Sequence, residues 1–249
     1  MAKVSCIIPA YNEELTIAGV VKTCLETPEI GEIIVVSDGS TDKTVDRVRQ
    51  IKSKKLKIIE LPENHGKGFA VAQGVGVAKN ETLLFLDADL VNLEPHHLSS
   101  LIWPVINNRA DMTIGDLVAR TKTDFKLFSF PSLWYFSGQR CLKKSFIFRH
   151  LGKIKKSQYT IEIILNEIFK NKRVAIIPLI SLKPLHLAKE KKWNDWKVSY
   201  AREVFQLAQG VIKNKSQTYK EKFQKELIKN LASYFKTTAK KIRQFLEEE

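Results

Sequence analysis

The chain has 249 residues, 44% of them hydrophobic and 27% charged, enough to bury a substantial core and too apolar for wholesale disorder. Three cysteines, Cys6, Cys24 and Cys141, show no CxxC spacing and leave an odd count, so reduced structural thiols are expected rather than a disulfide framework or zinc site. No apolar run approaches the roughly 20 residues that a membrane-spanning helix needs, the N-terminus lacks the apolar stretch of a signal peptide, and a cytoplasmic location is expected.

The net charge of +14 is unevenly spread. Residues 1–119 carry 12 Lys/Arg against 16 Asp/Glu, whereas residues 120–156 carry 10 against one and residues 189–249 carry 15 against eight. An acidic first half is thus followed by a basic remainder.

In chain order, Val4 to Ile8 is a β-rich apolar run ended by Pro9, as expected of a strand buried on both faces. Glu13 to Leu25 reads as a helix with Ile17, Val20, Val21 and Leu25 on one face. Glu32 to Val36 is a second strand, and Thr41-Asp42 would cap a helix with Val45, Val48 and Ile51 inward. Leu56 to Leu61 is a third strand, Gly66 to Ala78 a third helix, and Thr82 to Leu86 a fourth strand. Pro95 to Asn107 reads as a helix and Met112 to Ile114 as a strand, after which 120–156 looks irregular, basic and aromatic. Tyr159 to Asn171 is expected to be helical, Arg173 to Ile177 a strand, and two basic amphipathic helices follow from about Asn194.

Alternating buried strands and helices imply an α/β fold with a parallel, doubly wound sheet, whose ligands bind beyond the carboxyl ends of the strands. Three strands there end in polar segments: Pro9-Ala10-Tyr11-Asn12-Glu13, Ser37-Asp38-Gly39-Ser40 and Asp87-Ala88-Asp89. Two carboxylates at i and i+2 on such a loop are hard oxygen ligands suited to Mg²⁺ or Mn²⁺. Asn64-His65-Gly66-Lys67-Gly68 opens a helix, where close backbone approach and a lysine favour an anion; it is not the GxxxxGK[ST] loop of P-loop ATPases. Glu162 lies among Ile161, Ile163 and Ile164, so an acid in a mostly buried segment requires a partner or a substrate.

The ordered set Ile7-Ile8-Pro9-Ala10-Tyr11-Asn12-Glu13-Glu14, Val36-Ser37-Asp38-Gly39-Ser40-Thr41-Asp42, Asn64-His65-Gly66-Lys67-Gly68 and Phe85-Leu86-Asp87-Ala88-Asp89 resembles family 2 glycosyltransferases of the GT-A fold. The resemblance is greatest to the branch of dolichol- and polyprenyl-phosphate sugar synthases and glucosyl-3-phosphoglycerate-synthase-like enzymes. It extends through Ser137-Gly138-Gln139-Arg140, similar to an acceptor-side motif.

The resemblance implies a metal-dependent, inverting transfer from a UDP- or GDP-sugar. Pro9 and Tyr11 would flank the base, Glu13 and Asp38 contact the nucleoside, and Lys67 sit near base or diphosphate. Asp87 would lie near ribose and diphosphate, and Asp89 would ligate Mg²⁺ or Mn²⁺, joined by His186. Arg140 would orient an anionic acceptor such as a polyprenyl phosphate; alternatively the acceptor is a hydroxyl of a small molecule or glycan, towards which Glu162, otherwise touching the donor sugar, would act as base. Residues 1–193 form the expected catalytic domain (1–119 donor half, 120–193 acceptor half), with 194–249 a basic helical extension. The cations and aromatics beyond residue 120 favour an anionic acceptor or peripheral contact with an inner membrane face. Two rival readings, a nucleic-acid-binding module and a sugar-phosphate nucleotidyltransferase, fit less well. Carboxylates at successive strand ends repel nucleic-acid phosphate, and the Gly-rich Arg/Lys loop usual in the nucleotidyltransferases is missing after the first strand.

Overall fold

The computed structural model describes residues 3–116, 137–157, 161–180 and 182–185. The elements run β1 (Val4–Ala10), α1 (Ile17–Glu26), β2 (Ile30–Asp38), α2 (Thr44–Arg49), β3 (Leu56–Leu61), α3 (Lys67–Val77) and β4 (Thr82–Phe85). Then come β5 (Leu90–Val91), α4 (Pro95–Ile106), β6 (Met112–Asp116), β7 (Arg140–Lys143), α5 (Lys144–Ile147), a 3₁₀ turn (Phe148–His150) and α6 (Leu151–Lys155). The described chain closes with α7 (Ile161–Phe169), β8 (Val174–Pro178) and β9 (Lys183–Pro184).

Seven strands form one sheet in the order β3-β2-β1-β4-β7-β6-β8, and β5 pairs with β9 apart from it. The β1, β2, β3 and β4 neighbours pair parallel, as do β6 and β8, while β7 runs antiparallel to both of its neighbours. The sheet is therefore mostly parallel, as expected, with β7 as an inserted reversal that the irregular reading of 120–156 did not anticipate.

Both faces are covered, which is why the central strands read as unbroken apolar runs. Successive residues of a strand point to opposite faces. Cys6 and Ile8 accordingly pack with Ile17, Val20 and Val21 of α1 and Leu98 and Leu101 of α4, while Ile7 packs with Val71 and Val75 of α3 and Leu165 and Phe169 of α7. The three cysteines are free and buried, as expected of structural thiols.

One boundary differs from the sequence reading for a reason that lies in a neighbouring loop. Helix α1 begins at Ile17 rather than Glu13 because the Asn12, Glu13 and Glu14 amides donate to Ser40 Oγ, Thr44 Oγ1 and Asp42 Oδ2, at 3.1, 2.7 and 3.1 Å. In return Asn12 Oδ1 accepts the Thr41 amide at 2.8 Å and Glu14 Oε2 the Lys43 amide at 3.1 Å. The β1–α1 and β2–α2 loops are thus interlocked, with Asn12 in the left-handed region at φ 56°. The loop after β2 is also pinned to the segment before α3. Gly39 has φ 72°, and a Cβ there would meet the Asn64 amide nitrogen at 2.6 Å.

Candidate active site

The carboxyl ends of β1, β2 and β4 lie side by side, since Ala10 pairs with Ser37 and Ile7 with Phe85. They bring the polar segments after Pro9, Ser37 and Leu86 to one edge. At its centre is Lys67, the first residue of α3, whose Nζ lies 2.6 Å from Asp87 Oδ1 and 2.7 Å from Glu162 Oε1. Burial alone would lower the lysine's pKa, but the charges of Asp87 and Glu162 outweigh it and hold the ammonium firmly protonated. Glu162, in the first turn of α7, is only 4% exposed, so the acid expected to need a partner has one.

Asp87 is held from a second side. Gln139 Nε2 donates to Asp87 Oδ2 at 2.6 Å, and the Ser137 hydroxyl donates to Gln139 Oε1 at 2.7 Å, which fixes the amide with its NH₂ towards the carboxylate. Gly138 makes room for this arrangement: a Cβ there would stand 2.6 Å from Lys67 Nζ and nearer still to both Asp87 oxygens. Gln139 lay inside the motif read from the sequence, but nothing in the motif indicated that it serves Asp87.

Pro9, Lys67, Asp87, Arg140 and Glu162, far apart in sequence, all border one internal space with room for about one water molecule. Two further residues of the expected site are buried and engaged by the chain itself. Arg140 is fully buried on β7; its Nε donates to the Ser137 carbonyl and one terminal nitrogen to Asn166 Oδ1, both at 2.7 Å. A guanidinium so placed braces the wall beneath the site. Asp38 is 3% exposed, and its two oxygens accept the His65 and Gly66 amides at 2.9 and 2.7 Å. It shapes the loop that delivers Lys67.

Tyr11 is 47% exposed at the rim. Glu13 is half-buried; burial first and the Asp89 charge next push its carboxyl up to about 7, a Thr16 hydrogen bond opposes them, and Asp42 and Asp87 add smaller upward contributions. Asp89 is half-buried, and its carbonyl accepts the Leu185 amide at 2.6 Å. His186 lies outside the described residues, as do Tyr159, the 120–136 aromatics and 194–249. Among the described residues no group of three or more His, Cys, Asp or Glu side chains is arranged to hold a metal. The donors at Glu13, Asp87 and Asp89 are nonetheless all hard oxygens, and after burial it is the Asp89 charge, with smaller ones from Asp42 and Asp87, that raises Glu13, a repulsion that a divalent cation would relieve.

The basic segment begins by leading away from this edge, although Lys155 returns over Phe69, which stacks on His65. Residues 137–157 contain seven Lys/Arg and no Asp or Glu. β7 starts beside Phe85 and ends with Lys143 beside Thr82, carrying the chain about 10 Å to the opposite edge of the sheet. There Lys79, Lys144, Arg149 and the 55% exposed Phe148 line an open cleft.

The family model described as glycosyl transferase family 2 matches residues 5–153, more than half of the chain, and the chain belongs to that family. It is 42% identical over 100 residues to a dolichyl-phosphate beta-glucosyltransferase of Drosophila melanogaster, covering 35% of this chain and 31% of that protein. It is 32% identical over 111 residues to a glucosyl-3-phosphoglycerate synthase of Mycolicibacterium smegmatis, covering 41% and 36%. These alignments span about a third of the relatives' length.

A crystal structure of glucosyl-3-phosphoglycerate synthase from Mycobacterium tuberculosis in complex with phosphoglyceric acid superposes with TM-score 0.61 at 19% identity, over 85% of this chain and 79% of that one. Another, of the same enzyme with Mn²⁺, UDP and glucosyl-3-phosphoglycerate, gives 0.60 at 18% over the same shares. At these identities the likeness is one of fold, and the fold is the GT-A-like α/β arrangement expected from the sequence motifs.

Proposed function

We propose that this family 2 chain transfers a sugar from a nucleoside-diphosphate donor to a phosphorylated acceptor, with Mn²⁺ or Mg²⁺ at the donor diphosphate. The observation that carries the reading is the charge of the strand-end edge. Asp87 and Glu162 clasp Lys67, while Glu13 is pushed up to about 7 by burial first and then by the charges of Asp89, Asp42 and Asp87. Such an edge repels a diphosphate unless a hard cation bridges the two, which oxygen-liking divalent metals do. When bound, the metal supplies Lewis-acid stabilisation of charge on the departing nucleoside diphosphate.

In this reading Asp89 and His186 ligate the metal. His186 directly follows Leu185, whose amide is bonded to the Asp89 carbonyl. Tyr11 and Pro9 flank the base, and Glu13 reaches the nucleoside. Asp87 orients the ribose and diphosphate side while Lys67 and Gln139 hold its rotamer. Asp38 acts by shaping the 65–67 loop. Glu162 keeps Lys67 charged and faces the transferred sugar. A phosphate acceptor is already ionised, so no general base is required of a glutamate held in an ion pair. The displacement is in line and inverts the anomeric centre.

Two of the relatives are named for dolichyl phosphate and 3-phosphoglycerate, both phosphorylated. Polyprenyl phosphates and small phosphorylated acids are therefore the acceptors to supply. No helix among the described residues is long and apolar enough to cross a membrane. The Lys79–Lys144–Arg149 face with exposed Phe148 is proposed as a peripheral contact for an anionic bilayer, and sedimentation with phosphatidylglycerol vesicles at low and high salt tests it.

The central test is thermal stabilisation by UDP, GDP and their sugar conjugates, with and without Mn²⁺. A metal-dependent rise in melting temperature that vanishes in Asp89→Ala supports the donor site and names the base. Absence of stabilisation under every metal condition removes the reading.

A further inference from the structure

His97, in the first turn of α4, is 3% exposed and has no place in the site above. Both of its ring nitrogens are engaged. The Glu94 amide donates to Nδ1 at 3.1 Å, and Nε2 lies 2.9 Å from the Ile180 carbonyl oxygen. An amide N–H requires a lone pair, so Nδ1 is the bare nitrogen, and a carbonyl requires a proton, so Nε2 carries it. The imidazole is therefore a neutral bridge with one defined tautomer. It caps α4 with Nδ1 and grips the 180 segment with Nε2.

What it grips leads back to the donor edge. Leu179 N donates to the Asp116 carbonyl at 2.8 Å, Leu182 is fully buried in the same core as Leu90, Leu98 and Leu101, and β9 then pairs with β5 in the register Leu90↔Pro184 and Val91↔Lys183. The next residue, Leu185, donates its amide to Asp89. β5 and β9 have only two residues each, too few to fix a register by themselves.

We propose that His97 is a positioning residue: its Nε2–H latches the chain at Ile180 to α4, so that β9 pairs with β5 in register and the next residue, Leu185, holds the Asp89 backbone in place for the donor site. The inference rests on the proposed donor site. Outer partners that orient metal ligands commonly govern affinity by tenfold or more.

Two substitutions separate the two halves of the bridge. His97→Asn keeps an acceptor near the Nδ1 position for the cap and loses the donor towards Ile180, whereas His97→Gln places an amide N–H near the Nε2 position. The expected result for His97→Asn is faster hydrogen exchange at the Leu185 amide and a Mn²⁺-dependent UDP dissociation constant raised about tenfold. Its turnover assays should show a raised donor KM with kcat changed less, and His97→Gln should return all three to within about twofold. Wild-type exchange and affinity in a folded His97→Asn, quickened exchange with unchanged affinity, or a folded His97→Gln as impaired as His97→Asn would each overturn the proposal.

Should His97→Asn fail to fold, ¹⁵N spectra of wild-type His97 and the His97→Gln comparison decide. A neutral ring protonated at Nε2 is expected, and a proton on Nδ1 overturns the latch. Failure of the wild type to bind any nucleotide would strike the donor reading instead, while exchange at Leu185 still reports on the latch.

Discussion

Two glutamates near opposite edges of the sheet meet opposite treatment. Glu32, early in β2, is 5% exposed; its carboxylate accepts the Ser5 hydroxyl at 2.6 Å, the Lys57 ammonium at 2.8 Å and the Lys79 amide at 2.8 Å. Burial alone would raise its pKa, yet these three partners win and hold it below the ordinary carboxylate range. Glu13, beyond the end of β1, has a single weak side-chain partner in Thr16 at 3.4 Å and is pushed up to about 7. One end of the sheet spends its partners on neutralising an acid, and the other leaves negative charge accumulated. Fold needs explain the first. The second stabilises nothing in the chain alone, which marks it as the end built for something positive to arrive.

The comparison can be broken at several points. At the acidic edge, Asp89→Ala should lower kcat/KM by about 10²–10³, equivalent to about 3–4 kcal/mol, and abolish Mn²⁺-dependent nucleotide stabilisation in a melting assay. Next in size is Lys67→Met, which strands Glu162 and Asp87 against each other without their cation. Breaking a buried pair of this kind costs about 3 kcal/mol, read as a melting temperature lower by about 6–12 °C. At the satisfied edge, Glu32→Gln keeps an acceptor but misplaces an NH₂, at a cost of about 1–2 kcal/mol in urea denaturation with activity preserved.

The smallest effect carries the clearest sign. With its folded pKa above the usual value of 4.5, Glu13 contributes its full stabilisation below about pH 4.5 and loses it as the pH rises to about 7. Glu13→Gln should therefore match the wild type at pH 4 and exceed it by about 1 kcal/mol above pH 8, after allowance for solvent screening. Glu32, with its pKa lowered, behaves in reverse: its contribution is present above the ordinary carboxylate range and is lost as pH falls through its folded pKa. Melting temperatures across pH 4–8 for both variants should diverge from the wild type in opposite directions.

The parallel part of the fold was legible because its strands are buried on both faces, so Val4–Ile8 and Leu83–Leu86 announce themselves without reference to anything distant. Strand β7 was not, since Arg140-Cys141-Leu142-Lys143 has only two apolar residues between two cations in a basic stretch. Its place is dictated by pairing with β4 and β6, and a local pattern cannot report that. Lys67 and Asp87, read from the motifs, and Glu162, read from its apolar neighbours, do converge. What a motif does not encode is which way each polar side chain turns. Gln139 and Arg140 are adjacent in sequence, yet one serves Asp87 and the other Asn166 on α7. Asp38 reads as a strand-end carboxylate, and its two backbone amide partners across the 65–66 loop are not encoded in that pattern.

The interlock of residues 12–14 with residues 40–44 bears on any attempt to rebuild this protein with altered donor preference. Each loop lends the other its hydrogen-bond partners, so the pair behaves as one part made from two stretches of chain. A graft that replaces either stretch alone brings in side chains shaped for an absent counterpart. Chimeras between relatives should exchange both stretches together, with Gly39 and the Asn64–Lys67 approach carried along as the hinge against which they close.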